Sequence, residues 1–120
     1  MKRISHPDFF SIDLPRLEEQ LGDEARFTEC IRCLDQALLE LSRDPLHEGV
    51  ALALPPLTEY RKKKFHSVLR PASGSRADMR LIYRYDSKLD TLYVLGVGKR
   101  TPREADDVHH LLNTRESSDA

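Results

Sequence analysis

The chain has 120 residues with 19 lysines and arginines against 20 aspartates and glutamates, which gives a formal net charge of -1 at pH 7. This length predicts one domain over residues 1–120, and the balanced charge excludes a global field that would draw the protein to nucleic acid. No apolar run approaches the length of a membrane span, and the two cysteines are too few for the disulfide framework of a small secreted domain. We therefore expect a cytoplasmic protein with no membrane role.

The first half of the sequence predicts two helices. Apolar residues recur at spacings of four, three and four residues in the first, namely Phe10, Leu14, Leu17 and Leu21. Gly22 is typical of a helix end, and Asp23 is typical of the cap that begins the next helix. The second stripe consists of Phe27, Ile31, Leu34, Leu38 and Leu41. Two helices joined by a tight turn predict a helical hairpin.

The second half changes to a period of two residues, which is typical of strands. We expect strands at 64–70, 79–85 and 91–100, with a loop between the first two and the turn "DSKLD" between the last two. A short strand at 50–54 is an open alternative within the connection at 46–60. Residues 101–116 predict a helix with Thr101 as its cap. The fold class is therefore α+β: an N-terminal helical hairpin packed on a small twisted antiparallel sheet, with a short C-terminal helix.

The middle of the chain concentrates positive charge. Twelve basic residues lie between positions 61 and 103, against three aspartates. Arginines on a strand can be solvated residues whose aliphatic stems cover apolar surface, and a run such as "RKKK" at 61–64 is usually solvated as well. The alternative is that some of these cations bind phosphate groups or an acidic partner.

Two other motifs favour structural roles. The spacing of Cys30 and Cys33 resembles a redox or zinc motif, but it falls inside the second helical stripe and no second cysteine pair exists. We therefore predict that both cysteines pack in the core, and we expect no metal site and no cofactor. His109 and His110 are adjacent in the predicted last helix, so at most one of them can face the sheet.

The hairpin around residues 79–100 resembles that of the RelE/ParE superfamily of toxins from bacterial toxin–antitoxin pairs. The likeness is carried by "RLIY" at Arg80–Tyr83, the turn that follows, and an apolar strand ending in "VGKR" at Val97–Arg100. It covers roughly residues 60–112. In the RelE branch, these toxins cut messenger RNA in the ribosome without a metal, by attack of the ribose 2′-hydroxyl on the neighbouring phosphate.

The resemblance implies a toxin that acts as a ribosome-dependent endoribonuclease, with a cognate antitoxin, the ribosome and messenger RNA as partners. Arg80 and Arg100 match the family's two phosphate-directed arginines, and a guanidinium can fork two hydrogen bonds onto a phosphate. His66 falls where the family's preceding strand has a lysine and is the candidate proton carrier. The candidate RNA- or partner-binding residues are Arg61, Lys62, Lys63, Lys64, Arg70 and Lys99.

Two departures from the RelE pattern keep a second interpretation open. Asp106 aligns with a tyrosine of the RelE branch and cannot stack on a base. The isoelectric point near 6.5 is also unlike that of strongly basic nucleases. In the ParE branch the same scaffold inhibits DNA gyrase without cutting RNA, so the alternatives are a ParE-like toxin or binding module, or a solitary relative without catalysis.

Overall fold

The structure, a computed structural model, describes residues 1–46, 50–51 and 60–99. In chain order, the elements are β1 (Lys2–Ser5), a π-helical turn (Phe9–Asp13), α1 (Leu14–Leu21), α2 (Glu24–Arg43), β2 (Val50–Ala51), β3 (Arg61–Phe65), β4 (Met79–Asp86) and β5 (Thr91–Lys99). The predicted α+β class is confirmed for this part of the chain. The predicted C-terminal helix and residues 52–54 of the possible short strand lie outside it. In the described ranges, no helix is long and apolar enough to cross a membrane.

The sheet is mixed, so the prediction of a purely antiparallel sheet is wrong. Its five strands lie in the order β1-β5-β4-β3-β2. Pairing is antiparallel throughout except between β1 and β5, which are parallel from Lys2 opposite Thr91 to Ser5 opposite Val94. The sequence does not reveal β1 because three of its four residues are exposed, and a short edge strand of this kind has no buried face to produce alternation.

The strand predicted at 64–70 is shifted in the structure. β3 begins at Arg61 and ends at Phe65, and residues 67–70 bend away. At this point, hydrogen bonds to Asp78 take the place of hydrogen bonds between strands. The Asp78 carboxylate accepts from the Ser67 backbone N–H at 2.8 Å and from the Ser67 hydroxyl. The alternation of Phe65, Ser67 and Leu69 therefore predicts a strand that continues beyond Phe65. The Ser67–Asp78 hydrogen bonds end it there instead. β4 and β5 agree with the predicted ranges, and residue 100 lies beyond the described part.

The turn before α1 changes which phenylalanine is buried. Phe9 is 4% exposed and Phe10 is 60% exposed, so the predicted stripe is wrong at Phe10. The wider π-helical turn at Phe9–Asp13 rotates the chain before regular α-helix begins. The other helix signals are confirmed: Gly22 ends α1 at a φ of 67°, and Asp23 caps α2 by accepting the Ala25 N–H at 3.0 Å.

The core lies between the helices and one face of the sheet. α2 contributes the buried side chains of Cys30, Leu34, Ala37, Leu38 and Leu41. β4 contributes Met79, Leu81 and Tyr83, which belong to the same buried cluster. Because side chains alternate along a strand, Arg80, Ile82 and Arg84 project from the opposite face.

We call this opposite side the second face of the sheet. Cross-strand partners share a face, so the pairing register assigns further residues to it. Its members include Lys2 and Ile4 of β1, Lys62 and Lys64 of β3, Arg80, Ile82, Arg84 and Asp86 of β4, and Thr91 and Tyr93 of β5. Five of these ten residues are cationic and one is acidic, whereas the other face of β4 is apolar.

A buried carboxylate joins the helical layer to β5. β1 stops pairing at Ser5, and the His6 N–H donates to the Val94 carbonyl at 2.8 Å. Further along this edge, the Val97 N–H donates to Asp13 Oδ2 at 2.9 Å. Asp13 is 4% exposed. A buried backbone donor without an acceptor is costly, so Asp13 provides the contact that a longer β1 would have made.

Replacing this carboxylate is expected to destabilise the fold. Asp13→Ala leaves the Val97 N–H without its acceptor and should lower the free energy of unfolding by about 1.5–3 kcal/mol, the usual range for a hydrogen bond to a charged group. Chemical denaturation measures this difference. Asp35→Ala, at an exposed position of α2, is the matched control and should change stability by less than about 0.5 kcal/mol. Equal stabilities of the two variants would contradict this role of Asp13.

Candidate functional site

Arg80 and Lys64 lie side by side on the second face. Arg80 is the cross-strand partner of Lys64 on β3 and of Gly98 on β5. Gly98 has no side chain, so the two cations define this row, which we call the Lys64–Arg80 row. Arg80 is 5% exposed, whereas Lys64 is exposed. The row therefore combines one accessible ammonium with one guanidinium that is largely withdrawn from solvent.

The other predicted catalytic arginine cannot be placed beside this row. Arg100 lies outside the described residues, as do Asp106, His109 and His110. Lys99 is the last described residue of β5, and it pairs with Met79. Its register position is therefore on the helix side of the sheet, away from the Lys64–Arg80 row. Arg70 lies in the loop after β3 and is exposed.

The basic run at 61–64 is divided between the two faces. Arg61 Nη2 donates to the Leu46 carbonyl at 2.8 Å, and Lys63 Nζ lies 2.9 Å from Glu40 Oε2 on α2. Lys63 is 8% exposed. Alternation sends Lys62 and Lys64 to the second face. The structure thus does not bring the four predicted binding residues together on one surface.

The ion pair with Lys63 lowers the pKa of the Glu40 carboxylate. The hydrogen bond from Lys63 is the largest influence, and it holds the pKa of Glu40 below its ordinary value of 4.5 despite an opposing effect of burial. Gln36 of the same helix donates a further hydrogen bond to Glu40 at 3.4 Å. Lys63 therefore ties β3 to α2.

His66 lies immediately after β3, at the start of the loop that leads to β4. Its Nε2 is 3.1 Å from the Ser75 carbonyl oxygen, so this nitrogen carries a proton when the hydrogen bond is made. The imidazole lines one cleft with α2 and another with the loop, and Arg80 is in the wall of neither. The geometry therefore associates His66 with the loop, and its role as proton carrier stays a prediction.

An unpredicted cleft lies at the other end of the second face. The guanidinium carbon of Arg84 is 4.2 Å from the centroid of the Tyr93 ring and 5.9 Å from that of Tyr60. The cleft has a volume of about 250 Å³, and its walls include Ile4, His6, Tyr60, Arg84, Tyr93 and Leu95. The sequence alone favours a solvated surface position for Arg84, as for other arginines on a strand. Pairing the residues of β4 and β5 outward from their hairpin turn would have predicted that Arg84 lies beside Tyr93. No local sequence signal indicates that Ile4 and Tyr60 line the same cleft.

The cysteines are confirmed as core residues. Cys30 is fully buried, and Cys33 packs partly buried against the same cluster. Burial is the main reason why the pKa of the Cys30 thiol is raised to about 11, and burial also raises the pKa of Cys33. A raised pKa disfavours the reactive thiolate. Within residues 1–46, 50–51 and 60–99, no group of three or more histidine, cysteine, aspartate or glutamate side chains is placed to hold a metal ion.

Solved structures that resemble this chain include the following two. The RelBE2 toxin–antitoxin complex from Mycobacterium tuberculosis is 22% identical, with a TM-score of 0.49 over 82% of this chain and 96% of the other. The conserved hypothetical protein HP0892 from Helicobacter pylori is 17% identical, with a TM-score of 0.47 over 92% of this chain and 98% of the other. Both similarities are similarities of the backbone fold. No protein-family model and no curated protein matches the sequence.

The Glu40–Lys63 pair predicts a pH-dependent stability. Because the folded-state pKa of Glu40 is depressed, its contribution is present above the unfolded-state pKa and is lost as the pH falls through the folded-state pKa, below 4.5. Wild type should therefore exceed Glu40→Gln in unfolding free energy at neutral pH, and the difference should shrink toward about pH 3. Chemical denaturation across this range measures it.

Lys63→Met provides the control for this comparison. In that background the ammonium is gone, so Glu40→Gln should have an effect that varies little with pH. A difference between wild type and Glu40→Gln that stays constant from neutral to acid pH would contradict the importance of the pair.

Proposed function

We propose that the protein has a RelE/ParE-like fold and is the toxin of a toxin–antitoxin pair, acting as a metal-independent endoribonuclease on ribosome-bound messenger RNA. The observation that carries this proposal is the Lys64–Arg80 row, where the arginine of the "RLIY" strand lies beside an exposed lysine. The sequence resemblance assigns that arginine to phosphate. The register supplies a second cation at the neighbouring position.

Two adjacent cations suit the proposed reaction. The 2′-hydroxyl oxygen attacks the adjacent phosphorus as its proton leaves, and the bond to the 5′-oxygen breaks as that oxygen gains a proton. The products are a 2′,3′-cyclic phosphate and a free 5′-hydroxyl. Negative charge grows on the phosphate oxygens in the transition state, where fixed cations stabilise it. Arg80 would fork onto two oxygens, and Lys64 would act as a mobile point charge.

The burial of Arg80 affects how a phosphate would bind. At 5% exposure, the guanidinium lies in surroundings less polar than water, where its attraction to a phosphate is stronger. The side chains that cover Arg80 would have to move aside before contact is made. Lys64, which is exposed, would therefore meet the RNA first.

The remaining candidates keep defined roles in this proposal. Arg100 is the second phosphate-binding arginine, and His66 is the proton carrier. An acidic segment of a cognate antitoxin would compete with RNA for the exposed cations Lys64 and Arg70, because both ligands are anionic.

One observation favours a second candidate function. His66 shares a cleft with Lys64, but Arg80 is in the wall of neither cleft that His66 lines, so the clefts bring the imidazole to only one of the two cations of the row. A scaffold with the fold but without a proton carrier at the phosphate would suit a ParE-like toxin that inhibits gyrase, or a solitary relative without catalysis.

Mapping of RNA ends after brief induction in bacteria tests the proposal. Wild type should generate new 5′-hydroxyl ends within translated messages. Lys64→Ala should reduce their number by roughly 100-fold to 1,000-fold, the cost expected for removing one stabilising group from a developing anion. Arg80→Ala and Arg100→Ala should abolish them. Lys88→Ala, which removes an exposed cation from the β4–β5 turn, should leave cleavage unchanged.

Lys64→Ala is the most informative variant. Because Lys64 is exposed, its replacement should leave the fold intact, which thermal unfolding checks. Cleavage by Lys64→Ala equal to that of wild type would contradict the assigned row. Toxicity of wild type without new RNA ends would overturn the nuclease proposal in favour of the ParE-like function.

A further inference from the structure

A second row of side chains crosses the second face at the opposite end from the Lys64–Arg80 row. Ile4 of β1 pairs with Tyr93 of β5, and Tyr93 pairs with Arg84 of β4. Arg84 follows Arg80 by four residues on the same face of β4. At the usual rise of a strand, the two guanidinium-bearing positions lie about 13 Å apart. The two rows thus share one face and one strand, and the fully buried Ile82 lies between them.

Arg84 and Tyr93 form a cation–π pair, which we call the Arg84–Tyr93 platform. The guanidinium carbon lies over the Tyr93 ring, 4.2 Å from its centre. The centroid of the Tyr60 ring lies 5.9 Å from the same guanidinium carbon. Tyr60 is 5% exposed and limits the movement of the guanidinium. Contacts with two rings restrict the rotamers of Arg84. A ligand that stacks here therefore meets a surface that is already ordered and loses less free energy in ordering it.

The cleft beside this platform has room for one small planar group. Its volume of about 250 Å³ is below the usual range for sites that enclose drug-sized molecules. Ile4 and Leu95 give it apolar walls, and His6 adds a polar imidazole. Stacking surfaces, apolar walls and few polar groups suit a flat heterocycle better than they suit a bare anion.

We propose that this cleft binds one base of a single-stranded RNA whose backbone passes the Lys64–Arg80 row. This inference rests on the proposed function and adds a base-binding subsite to it. Proteins that hold single-stranded nucleic acid combine cations along the backbone with aromatic rings on which bases stack. The second face provides both, since Lys62 and Lys64 lie along it together with the Arg84–Tyr93 platform.

The chemistry of the subsite also predicts its selectivity. Every base has a π-face, so stacking on Tyr93 tolerates all four of them. Discrimination at this position should be weak. The subsite would therefore position the strand, and it would add affinity without reading sequence.

Comparison of intact and base-free RNA isolates this contribution. Fluorescence anisotropy at low salt would measure binding of the full chain to an oligouridine of about twelve nucleotides and to a ribose-phosphate chain of the same length without bases. Wild type should bind the intact strand at least about 5-fold more tightly, the lower limit expected for stacking one base. Tyr93→Leu should remove most of this preference and leave affinity for the base-free chain unchanged.

Two further variants keep the test informative if Tyr93→Leu is poorly folded. Tyr93→Phe retains the ring and should retain the preference for the intact strand. Arg84→Lys keeps the charge but loses the planar group, so it should lower the preference while leaving base-free binding in place. Lys64→Ala should instead weaken binding of both chains by a similar factor and reduce its salt dependence.

The outcomes separate this inference from the proposed function. An unchanged preference in both Tyr93→Leu and Arg84→Lys would overturn the base subsite, and so would failure of wild type to bind either chain. Neither result bears on RNA cleavage, which the mapping of RNA ends decides independently. Conversely, a preference that depends on Tyr93 supports the subsite even if no message is cut in cells.

Discussion

The alternation of side chains along β4 is the constraint on which the rest of the structure depends. Met79, Leu81 and Tyr83 enter the core on one side, and this packing fixes the register of the strand. The same register forces Arg80 and Arg84 onto the second face. A slip of one residue would place guanidinium groups among the buried apolar residues of α2. The stability of the core therefore also determines where the positive charge of the candidate site lies.

The division of the basic run follows from this register. Lys63 faces α2 and is held by Glu40, while Lys62 and Lys64 face away from the core. Positive charge thus has two distinct uses in one strand: joining the sheet to a helix, and providing a cationic surface. With the Arg84–Tyr93 platform at its other end, the second face offers electrostatic attraction and stacking about 13 Å apart. The single-stranded RNA that we propose as the ligand would use both.

Patterns with a strong period were predictable from the sequence. The stripe of α2, the Gly22–Asp23 break and the β4–β5 hairpin all follow from local signals. The missed features depend on contacts between distant segments. β1 is visible only through its parallel pairing with β5, and β3 ends early because Asp78, eleven residues later, captures Ser67. The buried role of Asp13 likewise requires Val97, 84 residues away.

Chemical-shift mapping of single-stranded RNA on the isotopically labelled protein tests the central claim most directly, since it reports which face of the sheet the ligand meets. Titration with an oligouridine should perturb the backbone amides of Lys64, Arg84 and Tyr93 together, at both ends of the second face. The exposed surface of α2, including Asp35, should be unaffected. Perturbations confined to α2, or an absence of perturbation at the second face, would contradict the account.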